Sequence, residues 1–389
     1  MSYHDFISFV RREFVRPEGH IPLHEPRFLG NERKYILDAL DSNFVSSVGA
    51  YVGRFEEMCS EYTGSPYAVA TMNGTSALHV ALLMAGVKPG EEVITQPLTF
   101  VATANAIAYT GASPAFVDIS GNTMGMCPQK LEEFLHKNAE KRADGAWYNR
   151  YTGARFAAVL PMHTFGHPVE IEKIAGICNQ YKIPLVEDAA ESMGSLYKNR
   201  HTGTFGLLGI LSFNGNKILT TGGGGMILTA DEEIALRAKH ITTTGKVLHP
   251  WEFFHDVTAY NYRLINLSAA LGCAQIEQIE TFVAAKRRLA QKYKDFFSSW
   301  KDIQFVSEPE NSRSNYWLNT LIMPSKEERD HFLQFTNEQG VMTRPAWTLM
   351  NHLPMYRNCF CGNLEVAENL AERIVNIPSS VIPSYVQNQ

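Results

Sequence analysis

The sequence predicts an α/β protein whose largely parallel sheet is covered by helices on both faces. Three observations carry that expectation. From about residue 65, short apolar runs alternate with longer helical stretches across Gly, Pro and Asp turns. Several of the runs are apolar nearly throughout, as strands buried on both sides are. Apolar residues make up 45% of the 389-residue chain and charged residues 19%, ample for a large core divided between two domains.

The elements follow in order. Residues 1–20 read as an amphipathic helix or arm closed by Pro17 and Gly19. Gly30-Asn31-Glu32 opens a helix with Ile36, Leu37 and Leu40 at helical spacing. Strands are expected at Tyr67–Thr71, Glu92–Gln96, Ser113–Asp118, Phe156–Pro161, Ile183–Glu187, Leu208–Phe213 and Gly224–Thr229. Helices are expected at Ser76–Ala85, Phe100–Thr110, Lys130–Lys141, Val169–Tyr181 and Glu232–Ile241. After about residue 265 the texture changes. Residues 267–298 form one long helical pattern without proline, and shorter mixed segments follow. The domains expected are an arm over 1–24, a large domain over 25–265 and a small α/β domain over 266–389.

Charge and cysteines narrow the function. Lys and Arg number 35 against 40 Asp and Glu, a net charge of −5 without any basic block. That disfavours broad binding to nucleic acid or a membrane surface. No window approaches 18 uninterrupted apolar residues, so no transmembrane helix is expected. The amino terminus puts an apolar stretch containing an acid before its basic cluster, the wrong order for a secretory signal. Six cysteines without framework spacing read as reduced thiols, which fits the cytoplasm.

Three motifs carry chemistry. Asn73-Gly74-Thr75-Ser76-Ala77-Leu78 ends a strand and opens a helix, offering free N–H groups and hydroxyls to a phosphate; simple N-capping by Thr75 or Ser76 is the plainer reading. Val186-Glu187-Asp188-Ala189-Ala190-Glu191 puts acids at the carboxyl edge of a strand, where open α/β sheets bind ligands. Ser212-Phe213-Asn214-Gly215-Asn216-Lys217 precedes four glycines that let backbone approach a flat ligand. Neither a Walker A loop nor G-x-G-x-x-G is present. A phosphate cradle, an edge-strand Asp and a later Lys beside a Ser are together what pyridoxal 5'-phosphate requires: an amine for its aldehyde, a carboxylate for its ring nitrogen and donors for its phosphate.

With these motifs the chain resembles the DegT/StrS nucleotide-sugar aminotransferases of the aspartate-aminotransferase-like, fold type I superfamily. The resemblance runs from about Ile21-Pro22-Leu23 to the end. It also rests on Thr-Phe-Val-Ala-Thr-Ala-Asn-Ala at 99–106 and Tyr-Asn-Tyr-Arg-Leu at 260–264. It implies a mostly parallel seven-stranded sheet in the large domain and a smaller C-terminal α/β domain. It makes Lys217 the lysine bonded to the cofactor and Asp188 the partner of the pyridine nitrogen. Gly74, Thr75, Ser76 and Ser212 would hold the phosphate, and Phe100 would stack on the ring. Asn261 would reach the phosphate in the neighbouring subunit of a homodimer with shared sites. Pyridoxamine 5'-phosphate would carry the amino group between half-reactions.

Glu191 stands where many relatives have a Gln bonded to the cofactor's phenolic oxygen, and a carboxylate there needs a proton on one partner. Glu191, Asn214 and the opening Ile21-Pro22-Leu23-His24-Glu25-Pro26 resemble the legionaminic acid and bacillosamine 4-aminotransferase subgroup. That resemblance implies glutamate as donor and a UDP-linked N-acetylated 4-keto-6-deoxy sugar as acceptor, for surface-glycan, nonulosonic acid or bacillosamine synthesis. The alternatives are a 3-keto or dTDP-linked sugar, or a regulator that binds the cofactor without turnover. Substrate contacts are expected from His163, Arg344 and His352, with Arg27 as a further cation for a diphosphate. His163 and His167 have metal-like spacing, but Gly166 and Pro168 oppose the helix that would align them, and no metal is expected.

Overall fold

The computed structural model describes residues 2–386. Residues 1 and 387–389, the extremes of the expected arm and small domain, lie outside the described residues. Seven strands build the main sheet: β1 Tyr67–Thr71, β2 Glu92–Thr95, β3 Ser113–Phe116, β4 Phe156–Leu160, β5 Val186–Asp188, β6 Leu208–Ser212 and β7 Gly225–Thr229. β3, β2 and β4 pair in that order, as do β5, β6, β7 and β1. Parallel bridges Val159–Leu185 and Met162–Asp188 join the two halves. β7 alone runs antiparallel to its neighbours, β6 and β1. β2, β4 and β7 are buried at every residue, which explains their unbroken apolar character.

β5 begins three residues later than expected. Pro184 has no N–H to donate, so only the single Val159–Leu185 bridge forms before Val186. The expected helix over 130–141 runs Pro128–Asn138, and Ala139–Lys141 leaves it to pair with Trp147–Asn149.

The long pattern over 267–298 is two helices, Asn266–Ile276 and Ile279–Phe297, broken without a proline. The cause is tertiary. Buried Glu32 accepts hydrogen bonds from the side chains of Gln275 and Gln278. Gln278 lies so close to Gly30 that a Cβ there would sit 2.3 Å from Nε2. Helix Glu32–Asp41 forms where expected, but Leu37 and Leu40 point outward, and Ala39 lies on its buried side.

The last third carries an antiparallel sheet of β8 Gln304–Phe305, β9 Asn319–Ile322, β10 Arg344–Pro345 and β11 Ile374–Ile377, in the order β8-β9-β11-β10. The first helix, Tyr3–Glu13, packs Phe6, Phe9 and Val10 into the same core as Phe282, Tyr293 and Phe332. Among the described residues no helix is long and apolar enough to cross a membrane.

Candidate active site

The carboxyl edges of β1, β5 and β6 deliver three chain segments to one cleft of about 350 Å³. β1 leads into Asn73, whose side-chain Oδ1 accepts the Ser76 N–H at 2.8 Å and caps helix Gly74–Met84, so the cap is Asn73 and not the expected Thr75 or Ser76, which lie inside the first turn. Gly74, Thr75 and Ser212 line this end of the cleft. Only a glycine fits at 74, because a Cβ there would lie 2.9 Å from Ser212 Cβ. Ser76 departs from the expectation: its N–H is taken by the cap, and the residue is not part of the lining.

β5 ends at Asp188, which is buried. Its Oδ2 accepts from Thr103 at 2.7 Å and its Oδ1 from the Ala190 N–H at 3.1 Å. Burial pushes the carboxyl up despite these donors and the charge of Lys217. Glu191 follows on the same loop. Its Oε2 accepts the Phe165 N–H at 2.9 Å, and its Oε1 lies 3.2 Å from Lys217 Nζ. Burial raises Glu191 to about 7, with Lys217 opposing.

β6 ends at Ser212, and the loop beyond it carries Asn214 and Lys217 into the cleft. Asn214 donates to Asn216 Oδ1 at 3.2 Å. Phe100, half exposed, forms part of the rim with its ring 6.1 Å from Trp347. Trp317 and Trp347 also line the cleft and come from distant segments without a motif. Thr103 was visible within the 99–106 motif, though its bond to Asp188 was not.

Other expected residues lie elsewhere. His163 is fully buried outside the cleft lining, its Nε2 3.1 Å from Glu187 and its Nδ1 accepting the Val169 N–H. It is committed to holding the sheet edge. Arg344, on edge strand β10, donates to Asn337 Oδ1 and the Thr343 carbonyl, away from the cleft. Arg27 is engaged by Glu25 and the Val381 carbonyl. His352 lines a separate neighbouring cavity that shares only Trp347 with the cleft. Asn261 is exposed and also outside the cleft lining of its own chain. Among the described residues no cluster of three or more His, Cys, Asp or Glu could hold a metal.

The lining suits a flat, phosphorylated, cationic ring. A buried carboxylate favours a protonated ring nitrogen, a glycine-opened helix terminus beside a serine favours a phosphate, and an amine reaches an aldehyde. Pyridoxal phosphate combines all three.

The comparisons with known proteins agree with this chemistry. A GDP-perosamine synthase of Escherichia coli O157:H7 is 35% identical over 360 residues, covering 92% of this chain and 93% of that protein. EpsN of Bacillus subtilis (strain 168), provisionally named a pyridoxal phosphate-dependent aminotransferase, is 35% identical over 365 residues and covers 92% and 90%. The crystal structure of an aminotransferase TlmJ from Streptoalloteichus hindustanus superposes with a TM-score of 0.83 at 28% identity, covering 92% and 93%. The family profile described as DegT/DnrJ/EryC1/StrS aminotransferase matches residues 28–383. The chain therefore belongs to the DegT/DnrJ/EryC1/StrS aminotransferase family, which depends on pyridoxal phosphate.

Proposed function

We propose that this chain transfers the amino group of glutamate to the C4 ketone of a nucleotide-linked 4-keto-6-deoxy sugar, with Lys217 holding the cofactor between turnovers. The observation that carries the reading is the convergence of Lys217, Asp188 and the Gly74–Thr75–Ser212 corner on one cleft. When bound, pyridoxal phosphate supplies an aldehyde carbon to carry the amino group and a ring that withdraws electrons.

The chain's own residues do the remaining work. Asp188, in a buried and hydrogen-bonded setting, keeps the ring nitrogen protonated. The N–H groups of Gly74 and Thr75 and the Ser212 hydroxyl would hold the phosphate, and Phe100, on the rim, would pack against the ring. Once released, Lys217 Nζ takes the proton from the Cα of glutamate, and the same atom works in reverse at C4 of the sugar. Glu191, raised to about 7, carries a proton below that pH and would then donate it to the phenolic oxygen, which removes the repulsion between two anions.

Two readings of the acceptor compete, each with its own support. The 35% identity to a GDP-perosamine synthase favours a GDP-linked sugar. Glu191, Asn214 and the 21–26 opening favour the UDP-linked N-acetylated sugar. We take the GDP-linked sugar as the primary substrate. The test gives the amine-loaded protein GDP-4-keto-6-deoxymannose, UDP-2-acetamido-4-keto-2,4,6-trideoxyglucose and a dTDP-3-keto-6-deoxy sugar in parallel, then locates nitrogen by NMR. Turnover of the UDP compound alone would reverse the nucleotide choice, and nitrogen only at C3 would overturn the C4 assignment.

The active unit is a homodimer in this reading. Leu248, Trp251, Phe253 and Phe254 project from the hairpin Lys246–His255, each more than half exposed, and Asn261 follows closely in the chain. So large an apolar surface suits a second copy.

A further inference from the structure

Besides Glu191, the Lys217 amine has a neighbour with no part in the chemistry above. Its Nζ lies 3.9 Å from the centroid of the Trp317 ring. We infer that Trp317 is a positioning residue for Lys217, its indole face seating the amine inside the cleft. The inference rests on the reading of Lys217 as the cofactor lysine.

The ring cannot drift from this position. Its Nε1–H donates at 2.8 Å to the carbonyl of Asn216, the residue before Lys217. The Trp317 backbone N–H donates to Asn315 Oδ1 at 2.8 Å, and the Trp317 carbonyl accepts from Lys286 Nζ at 3.1 Å. Asn315 turns its own side-chain Nδ2 to the carbonyls of Glu191 and Met193, both at 2.9 Å. Residues 315–317 therefore grip both members of the Glu191–Lys217 pair. A tryptophan that only filled the core would need neither the bond to Asn216 nor its face against an amine.

The indole face is the strongest aromatic seat for a cation, and burial strengthens it by excluding water. Trp317 is 4% exposed. During the half of the cycle in which Lys217 is free, the seat would keep the amine inside the cleft. The other ionisable groups acting on the amine's surroundings are Asp188 at the end of β5, Glu191 on the loop after it, His24 in the opening strap and Lys286 on helix Ile279–Phe297. Burial drives Lys286 and His24 towards their neutral forms. None of these groups is removed by a change at Trp317.

The experiment follows how the full chain, stripped of cofactor, captures added pyridoxal phosphate between pH 6 and 10. Only a neutral amine attacks the aldehyde, with water leaving, so the capture rate reports the amine's titration. The cofactor's own ionisations are common to every chain compared. Trp317→Leu keeps the wall apolar but removes the ring face. Its capture midpoint should fall by about 0.4 to 1.5 units, and capture below the midpoint should be roughly threefold to thirtyfold faster. Trp317→Phe, with a weaker face, should fall between the two and decides the matter if the leucine variant does not fold. A midpoint that stays put or rises in the variants overturns the inference. Borohydride reduction and peptide mapping separate the two failures: no adduct on Lys217 in the unaltered chain defeats the parent reading, whereas an adduct with an unmoved midpoint defeats only the role of Trp317.

Discussion

At the scale of single residues, Glu191 is the departure with the clearest consequence. Its carboxyl is raised to about 7 by burial, against 4.5 in an unfolded chain. Between those values the native state binds the extra proton, so the group's stabilising contribution is complete below pH 4.5 and is lost as pH rises through 7. The loss is about 3 kcal/mol. Glu191→Gln preserves the shape and removes the titration. Urea unfolding of the two chains at pH 5 and pH 8 should show the variant's stability flatter with pH by about that amount. Parallel slopes would mean that Glu191 ionises freely in the native state. The variant should also lose any change in bound-cofactor absorbance that titrates near pH 7, because glutamine offers the phenolic oxygen an N–H at every pH.

At the scale of elements, the site depends on close approaches between segments far apart in sequence. Gly166 has a φ of +94°, and a Cβ there would lie 1.9 Å from Asn315 Oδ1. Gly166→Ala should therefore strain the backbone and push away the segment that holds Glu191 and Lys217. We expect a destabilisation of roughly 2 kcal/mol or more, read as a lower urea midpoint, together with weaker cofactor retention. A midpoint within experimental error of the unaltered chain would show that the junction can relax.

This junction also marks the limit of what was legible beforehand. The seven strands and the edge position of Asp188 follow from apolar runs and punctuation close in sequence, and all are found, whereas the helix after β1 is capped by Asn73 and not by Thr75 or Ser76. The break at Gln278 is set by Glu32 and Gly30, some 240 residues away, and local periodicity carries no trace of such a partner. Trp317 and Trp347 were invisible for the same reason. The side-chain chemistry of His163 and Arg344 suits a substrate, but the fold gives the first to Glu187 and the second to Asn337.

At the scale of the whole molecule, the exposed hairpin over 246–255 and the outward Leu37 and Leu40 leave a single chain with more apolar surface than a monomer needs. Sedimentation should give a dimer. Mixing an Asn261→Ala subunit with a Lys217→Ala subunit should restore part of the activity, because each heterodimer retains one undamaged composite site. Subunit exchange without recovery would place Asn261 outside the partner's site.

In the proposed reading Lys217 is the residue to which the cofactor is joined, with Asp188 facing its ring nitrogen. The direct measurement is borohydride reduction of the protein loaded with pyridoxal phosphate, followed by peptide mapping. A single reduced adduct on Lys217, absent from Lys217→Ala, is the predicted result. An adduct on any other lysine would contradict the account.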